Sequence, residues 1–354
     1  MDRGGVAYKI IIKVVNFAAY LSGPKGPGHE KIEDKGEIIN NQTVMELLEK
    51  ELVGAFFPNL RLKNFKREER KQKQCVLEEK TYLLFKTEIR MARMTLPIWT
   101  LSLPIVPVVH GNQECLAQAT VMWHNNFAEV GKFQAPGAVT FGEITSMLNM
   151  KWKKQCHSNR GLSDCNILYL ASKLFQDNLY GKEISGLYIT WTQFSLKYLP
   201  GRNFSFWEWV WNLMKLTKKY FSDAWEAGYI LGFASKDDVK EILNSVNYVP
   251  GTFILRFSDS LKTGGLTLAY KTHILDAITG QNKLIMAEPF HSKILDKRSL
   301  ADTLLDQQSI LTFVHTAQGP VPLKMAFQRE ATTTSNNTSG YVKVNLRVVV
   351  GKYL

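Results

Sequence analysis

The residues with the clearest chemistry lie in GTFILRFSDSLKTGG, residues 251–265. Its first half alternates as a β-strand does. Phe253, Leu255 and Phe257 fall on one face, and Thr252, Ile254 and Arg256 on the other. A guanidinium set in so apolar a strand needs an anion, and its planar fork can grip two phosphate oxygens. The loop that follows offers the hydroxyls of Ser258 and Ser260. Upstream, Ser235-Lys-Asp-Asp238 has the S-x-x-D form of a helix start, which puts Lys236 in the first turn, at the positive end of the helix dipole. Arg256, Lys236, Ser258 and Ser260 together offer more donors and more charge than one carboxylate satisfies, which favours phosphate. An internal ion pair between Arg256 and Asp259 is an equal alternative on these residues alone.

A second concentration of charge is RLKNFKREERKQK, residues 61–73, with seven basic residues against two acidic ones. Such a run is either a solvated loop or a contact for a polyanion. The formal net charge of +12 leans the chain toward anionic partners. Other chemistries find no support. The sequence contains no G-x-S-x-G, Walker A, H-E-x-x-H or kinase motif, so binding is expected rather than catalysis. The four cysteines include no C-x-x-C pair, which argues for a reducing compartment and against a disulfide framework. Cys156, His157 and Cys165 lack the spacing of a structural zinc site, and neither metal nor cofactor is expected. Lys9 and Lys13 interrupt the apolar run near the amino terminus, so membrane insertion is not expected.

The elements that must position these residues change in character along 354 residues, a length that allows two or three domains. From Glu37 to about Val130 short apolar runs alternate with turns, which predicts β-structure, with TYLLF (81–85) and LSLPIVPVV (101–109) as the clearest strands. From Thr140 to Trp225 the period is helical. ILYLASKLF (167–175) carries it, as does the run from Phe206 to Phe221, where Trp207, Trp211, Met214 and Phe221 share a face that reads as core in a rigid spacer. A third region orders a helix, three strands ending in KLIMAEPF (283–290), and a helix opened by Ser299 and Asp302, which predicts a small antiparallel sheet flanked by two helices. ATTTSNNTSG (331–340) is a polar linker, spanning at most about 33–36 Å if extended, before the alternating YVKVNLRVVVGKYL.

WEAGYILGFASKDD followed by GTFILRFSDS resembles the Src-homology-2 (SH2) domain of the STAT transcription factors. LSLPIVPVVHGNQECLAQATVMWHNNFAE resembles the junction of the STAT DNA-binding and linker domains, and SNRGLSDCNILYLASKLF and YLPGRNFSFWEWV resemble the linker. RSLADTL and GYVKV resemble the later SH2 helix and the phosphotyrosine segment, in the family's order, with the nearest likeness to the STAT-five branch. The resemblance implies a multidomain, mixed fold: a partial immunoglobulin-like β-barrel for DNA binding, an α-helical linker and an α+β SH2 domain. Its boundaries would be an atypical start at 1–35, the DNA-binding domain at 36–130, the linker at 131–224, SH2 at 225–330 and the phosphotyrosine tail at 331–354.

By the same resemblance Arg256 grips phosphotyrosine, with Lys236, Ser258 and Ser260 as helpers, and Tyr341 is the phosphorylated tyrosine. SDSLKTGG is one residue longer than the usual loop of the family. Lys66 and Arg67 would contact DNA phosphates, with Arg70, Lys71 and Lys73 as looser candidates for the same role, and His110 and Gln113 would approach base edges. The implied partners are double-stranded DNA, phosphotyrosine motifs of receptors, a JAK-type tyrosine kinase and a second STAT as homodimer or heterodimer. The implied locations are cytoplasm and nucleus. The function implied is a signal-dependent transcription factor that dimerises by reciprocal SH2–phosphotyrosine exchange. The alternative is a short STAT-like protein that dimerises without activating transcription and so competes with full-length partners.

Overall fold

The computed structural model describes residues 9–15, 36–44, 46–47, 53–66, 79–91, 93–129, 135–245 and 248–328. The chain divides into two compact units, Met1–Pro136 and Gly137–Leu354.

In the first unit the strands are β1 (Lys9–Val15), β2 (Glu37–Ile39), β3 (Gln42–Val44), β4 (Glu46–Leu47), β5 (Val53–Gly54), β6 (Arg61–Lys63), β7 (Tyr82–Met91) and β8 (Met94–Leu101). Four of them form an antiparallel sheet in the order β3-β1-β7-β8, while β2 pairs with β6 and β4 with β5. TYLLF opens β7 as expected. The predicted strand at 101–109 does not form. The strand partner of β7 lies earlier, at 94–101, and beyond it Ile105 makes an isolated bridge to Thr81. Pro104 and Pro107 cannot donate to a ladder, which explains the break. The β-reading to Val130 is also corrected, because Glu114–Phe127 is a helix, α1. The stretch lacks glycine and proline, and its buried Ala117, Thr120 and His124 recur at helical spacing.

The second unit opens with β9 (Ala138–Thr140), α2 (Phe141–Cys156), α3 (Asp164–Phe175), β10 (Tyr188–Thr190), α4 (Trp191–Ser195), α5 (Phe206–Leu216) and α6 (Ser222–Glu226). Local caps start the helices: Ser163 Oγ accepts from Asn166 N, and Ser205 and Glu208 form a reciprocal box on α5. The helix at Phe206 runs regularly to Leu216, and a π-helical turn at Thr217–Phe221 then shifts its register. Trp207 stacks on Trp211 as the shared face predicts, but α5 is buried on further sides as well. Trp152, Trp207, Trp209 and Trp225 are all fully buried.

The remaining elements are β11 (Ile230–Gly232), α7 (Lys236–Asn244), β12 (Thr252–Phe257), β13 (Leu266–Leu275), β14 (Asn282–Met286), α8 (Ser292–Leu295), α9 (Leu300–Leu305), β15 (Phe313–Thr316), β16 (Gly319–Pro322) and α10 (Leu323–Ala326). The sheet is mixed rather than purely antiparallel. Strands run β14-β13-β12-β15-β16, and β11 and β15 both join β12 in parallel, at opposite ends. Val239 and Leu243 of α7 pack on Ile254, Ala269 and Leu284, which covers one face. On the other face Phe257 meets Trp152, Trp225 and Phe233 at ring separations of 5.0–5.6 Å.

Candidate functional site

Strand alternation places Arg256 on the α7 face of the sheet, beside Ile254. Its side chain is 3% exposed. Nη1 donates to Ala234 O at 2.7 Å and to Phe257 O at 3.2 Å, while the buried Nε has no partner among the described residues. Ala234 lies two residues before Lys236, so this bond brings the guanidinium to the start of α7. Lys236 is the first residue of that helix and is exposed. Ser235 Oγ accepts from Asp238 N at 2.9 Å, and the Asp238 carboxylate accepts from Ser235 N at 2.7 Å. Asp237 and Asp238 already complement the helix dipole, so Lys236 offers its own charge and the helix end adds little.

Past the strand, Ser258 is buried, and its Oγ lies 2.8 Å from Ser260 Oγ and accepts from Ser260 N at 3.3 Å. Ser260 is exposed. The structure thus gathers Arg256, Ser258 and Ser260 at the end of one strand, beside the turn that leads into Lys236.

The internal pair between Arg256 and Asp259 is not formed. Asp259 Oδ2 accepts from Lys173 Nζ at 2.5 Å and from Tyr169 Oη at 3.0 Å, and Oδ1 lies 3.6 Å from Arg202 Nη2. Burial pushes the Asp259 carboxyl up, but the hydrogen bond and charge of Lys173, the charge of Arg256 and the Tyr169 hydroxyl outweigh it and hold the carboxyl below the ordinary range. Burial likewise pushes the Tyr169 phenol up, aided by the neighbouring carboxylate.

Sequence reasoning missed the residues that build the loop. Trp209 Nε1 donates to Ser258 O at 2.8 Å, and Asn212 Nδ2 donates to Lys262 O at 2.8 Å. Lys262 Nζ lies 3.0 Å from Glu208 Oε1. A Cβ on Gly264, whose φ is +78°, would stand 3.3 Å from the Asn212 carbonyl, so the loop runs against the α5 backbone. The loop is therefore fastened along its length. On α3, Asn166 Nδ2 donates to Leu231 O and Phe233 O at 3.1 and 2.9 Å, which fixes β11 beside Arg256. Cys156, raised above as part of a weak metal motif, is buried with its thiol 3.7 Å from Met214 O, and burial pushes its pKa up to about 12.

In the first unit Lys66 and His110 are exposed. Gln113 closes a 3-10 turn at Gly111–Gln113, and its Oε1 accepts from Val109 N at 2.9 Å and His110 N at 3.3 Å. Its oxygen is thereby committed to the turn that presents His110, and its amide N–H groups are what it can offer outward. Arg67, Arg70, Lys71, Lys73 and Tyr341 lie outside the described residues. Among the described residues no helix is long and apolar enough to cross a membrane.

Comparison with known proteins places the chain beside one family. Residues 7–108 match the family described as "STAT protein, DNA binding domain", and the match begins inside the stretch 1–35 set apart above. Residues 129–210 match "Signal transducer and activator of transcription, linker domain". The human protein "Signal transducer and activator of transcription 6" is 39% identical over 295 residues, which cover 82% of this chain and 34% of that relative. The chain therefore spans about a third of the length of the relative it matches.

Proposed function

This chain belongs to the STAT family, and from that membership we propose that it acts as a signal-dependent, DNA-binding transcription factor whose second unit carries an SH2-type phosphotyrosine receptor. Arg256 is the receptor's charge, Ser258 and Ser260 its hydroxyl donors and Lys236 its rim cation. The observation that carries this reading is the state of Arg256. It is nearly fully buried, its Nε is unpartnered, and no ion pair joins it to a carboxylate among the described residues. A buried cation so placed is stabilised by an anion from outside.

Phosphorylation of Tyr341 supplies that anion, adding about −1.5 to −2 charges and three acceptor oxygens. Each protomer's phosphotyrosine enters its partner's receptor, and two identical contacts act together. A JAK-type kinase, receptor phosphotyrosines and a second STAT chain complete the set of partners, and the dimer moves from cytoplasm to nucleus. At the DNA, Lys66, Arg67, Arg70 and Lys71 neutralise phosphates, His110 reads base edges, and Gln113 contributes through its amide N–H. Within the family this reading keeps the STAT-five-like branch.

Sedimentation of the kinase-treated chain tests the proposal. The wild type is expected as a dimer, and Arg256→Ala and Tyr341→Phe as monomers. A phosphorylated Arg256→Ala chain that keeps its dimer mass would defeat it.

A further inference from the structure

Asp259 is a carboxylate that the chain itself could offer to Arg256. It lies three residues further along the same strand and loop, and Arg256 is among the charges that act on it. Its oxygens are instead occupied by Lys173, Tyr169 and, at longer range, Arg202. Lys173 and Tyr169 are four residues apart on α3, so they present one face, and the Lys173 ammonium also lies 4.9 Å from the centre of the Tyr169 ring. The Lys173–Asp259 pair is largely shielded, at 28% and 20% side-chain exposure.

We propose that Lys173 and Tyr169 are positioning residues that hold the Asp259 carboxylate away from Arg256 and so keep its guanidinium open to an incoming phosphate. This rests on the reading of Arg256 as a phosphotyrosine receptor. Released, Asp259 is free to turn to Arg256, three residues back along the chain, and a phosphate must then break an internal pair before it binds. Simple fastening does not require this charged cluster. Trp209, Asn212 and Asn166 already fasten the loop and β11 with neutral donors. The helical module thus sets whether the receptor starts occupied or vacant.

The test uses the full chain and a phosphotyrosyl peptide copying residues 337–347, with binding followed by fluorescence anisotropy. Lys173→Met should weaken binding about tenfold, and Asp259→Asn added to it should bring binding back to within about twofold of wild type. Lys173→Arg should retain affinity, and Tyr169→Phe should lose about threefold. A loss that persists in the double variant, or a Lys173→Met chain that binds like wild type, overturns the proposal. The nitrogen-15 resonance of Arg256 Nε–H, recorded without peptide, gives an independent measure. It should move toward a carboxylate-paired position in Lys173→Met and return on adding Asp259→Asn, and an unmoved resonance also overturns the proposal. If the wild type ignores the phosphopeptide, the phosphotyrosine reading fails, and this resonance still decides the state of Arg256.

Discussion

His124, near the end of α1, is buried with both ring nitrogens engaged. Lys80 Nζ lies 3.0 Å from Nδ1 and can only donate there, so the neutral ring carries its proton on Nε2 and donates to Tyr82 Oη at 3.2 Å. Burial, and then the Lys80 charge, lower the His124 pKa from 6.5 to about 4. Because the folded pKa lies below the unfolded one, protonation favours the unfolded state. The stability from the neutral ring is complete above pH 6.5 and is lost as pH falls toward 4. The full loss is about 3 kcal/mol. Native-state hydrogen exchange of the α1 amides should show this fall, and His124→Gln should flatten it over the same window. An equally steep fall in the variant would assign the effect to other groups.

At the scale of elements, α5 has two tasks that its composition conceals. Its tryptophans read as core, and they are core, yet Trp209 also spends its indole N–H on the carbonyl of Ser258. Trp209→Phe keeps most of the packing and removes that bond. The unfolding free energy of the second unit should fall by about 1–2 kcal/mol, because a buried carbonyl loses its donor. Amide exchange at Ser260 and Gly264 should speed up more than exchange in β13. Uniform acceleration would mean that the indole supports the core alone. The same helix holds Lys262 through Asn212 and Glu208, so the loop that follows Arg256 sits on a fixed support.

For the whole molecule, the charge of +12 is a property that DNA binding can exploit through counterion release. Lys66→Ala should weaken binding of every duplex alike and reduce the salt slope by about 1, whereas His110→Ala should leave the slope and change the preferred sequence. Fluorescence anisotropy with two duplexes over a salt series separates these outcomes. An unchanged slope for Lys66→Ala would remove that lysine from the phosphate contacts. Gln113→Ala should weaken presentation of His110, because its oxygen caps the two amides before the turn.

The sequence by itself determined what depends on neighbours in the chain. The S-x-x-D starts at Ser235 and Ser299 opened helices because each cap closes within one turn. The alternation of 252–257 put Arg256 on a defined face of a strand for the same local reason. Helix α1 and the break after Leu101 were legible in part, in helical spacing and in two prolines, but the surrounding β-pattern outweighed them. Only the tertiary structure decided which anion Arg256 lacks and which cation Asp259 has. Asp259 meets Lys173 across 86 positions and Tyr169 across 90, and Trp209 reaches Ser258 across 49. Charge pairing is set by distance in space, and local sequence pattern carries no record of which distant side chain will arrive first.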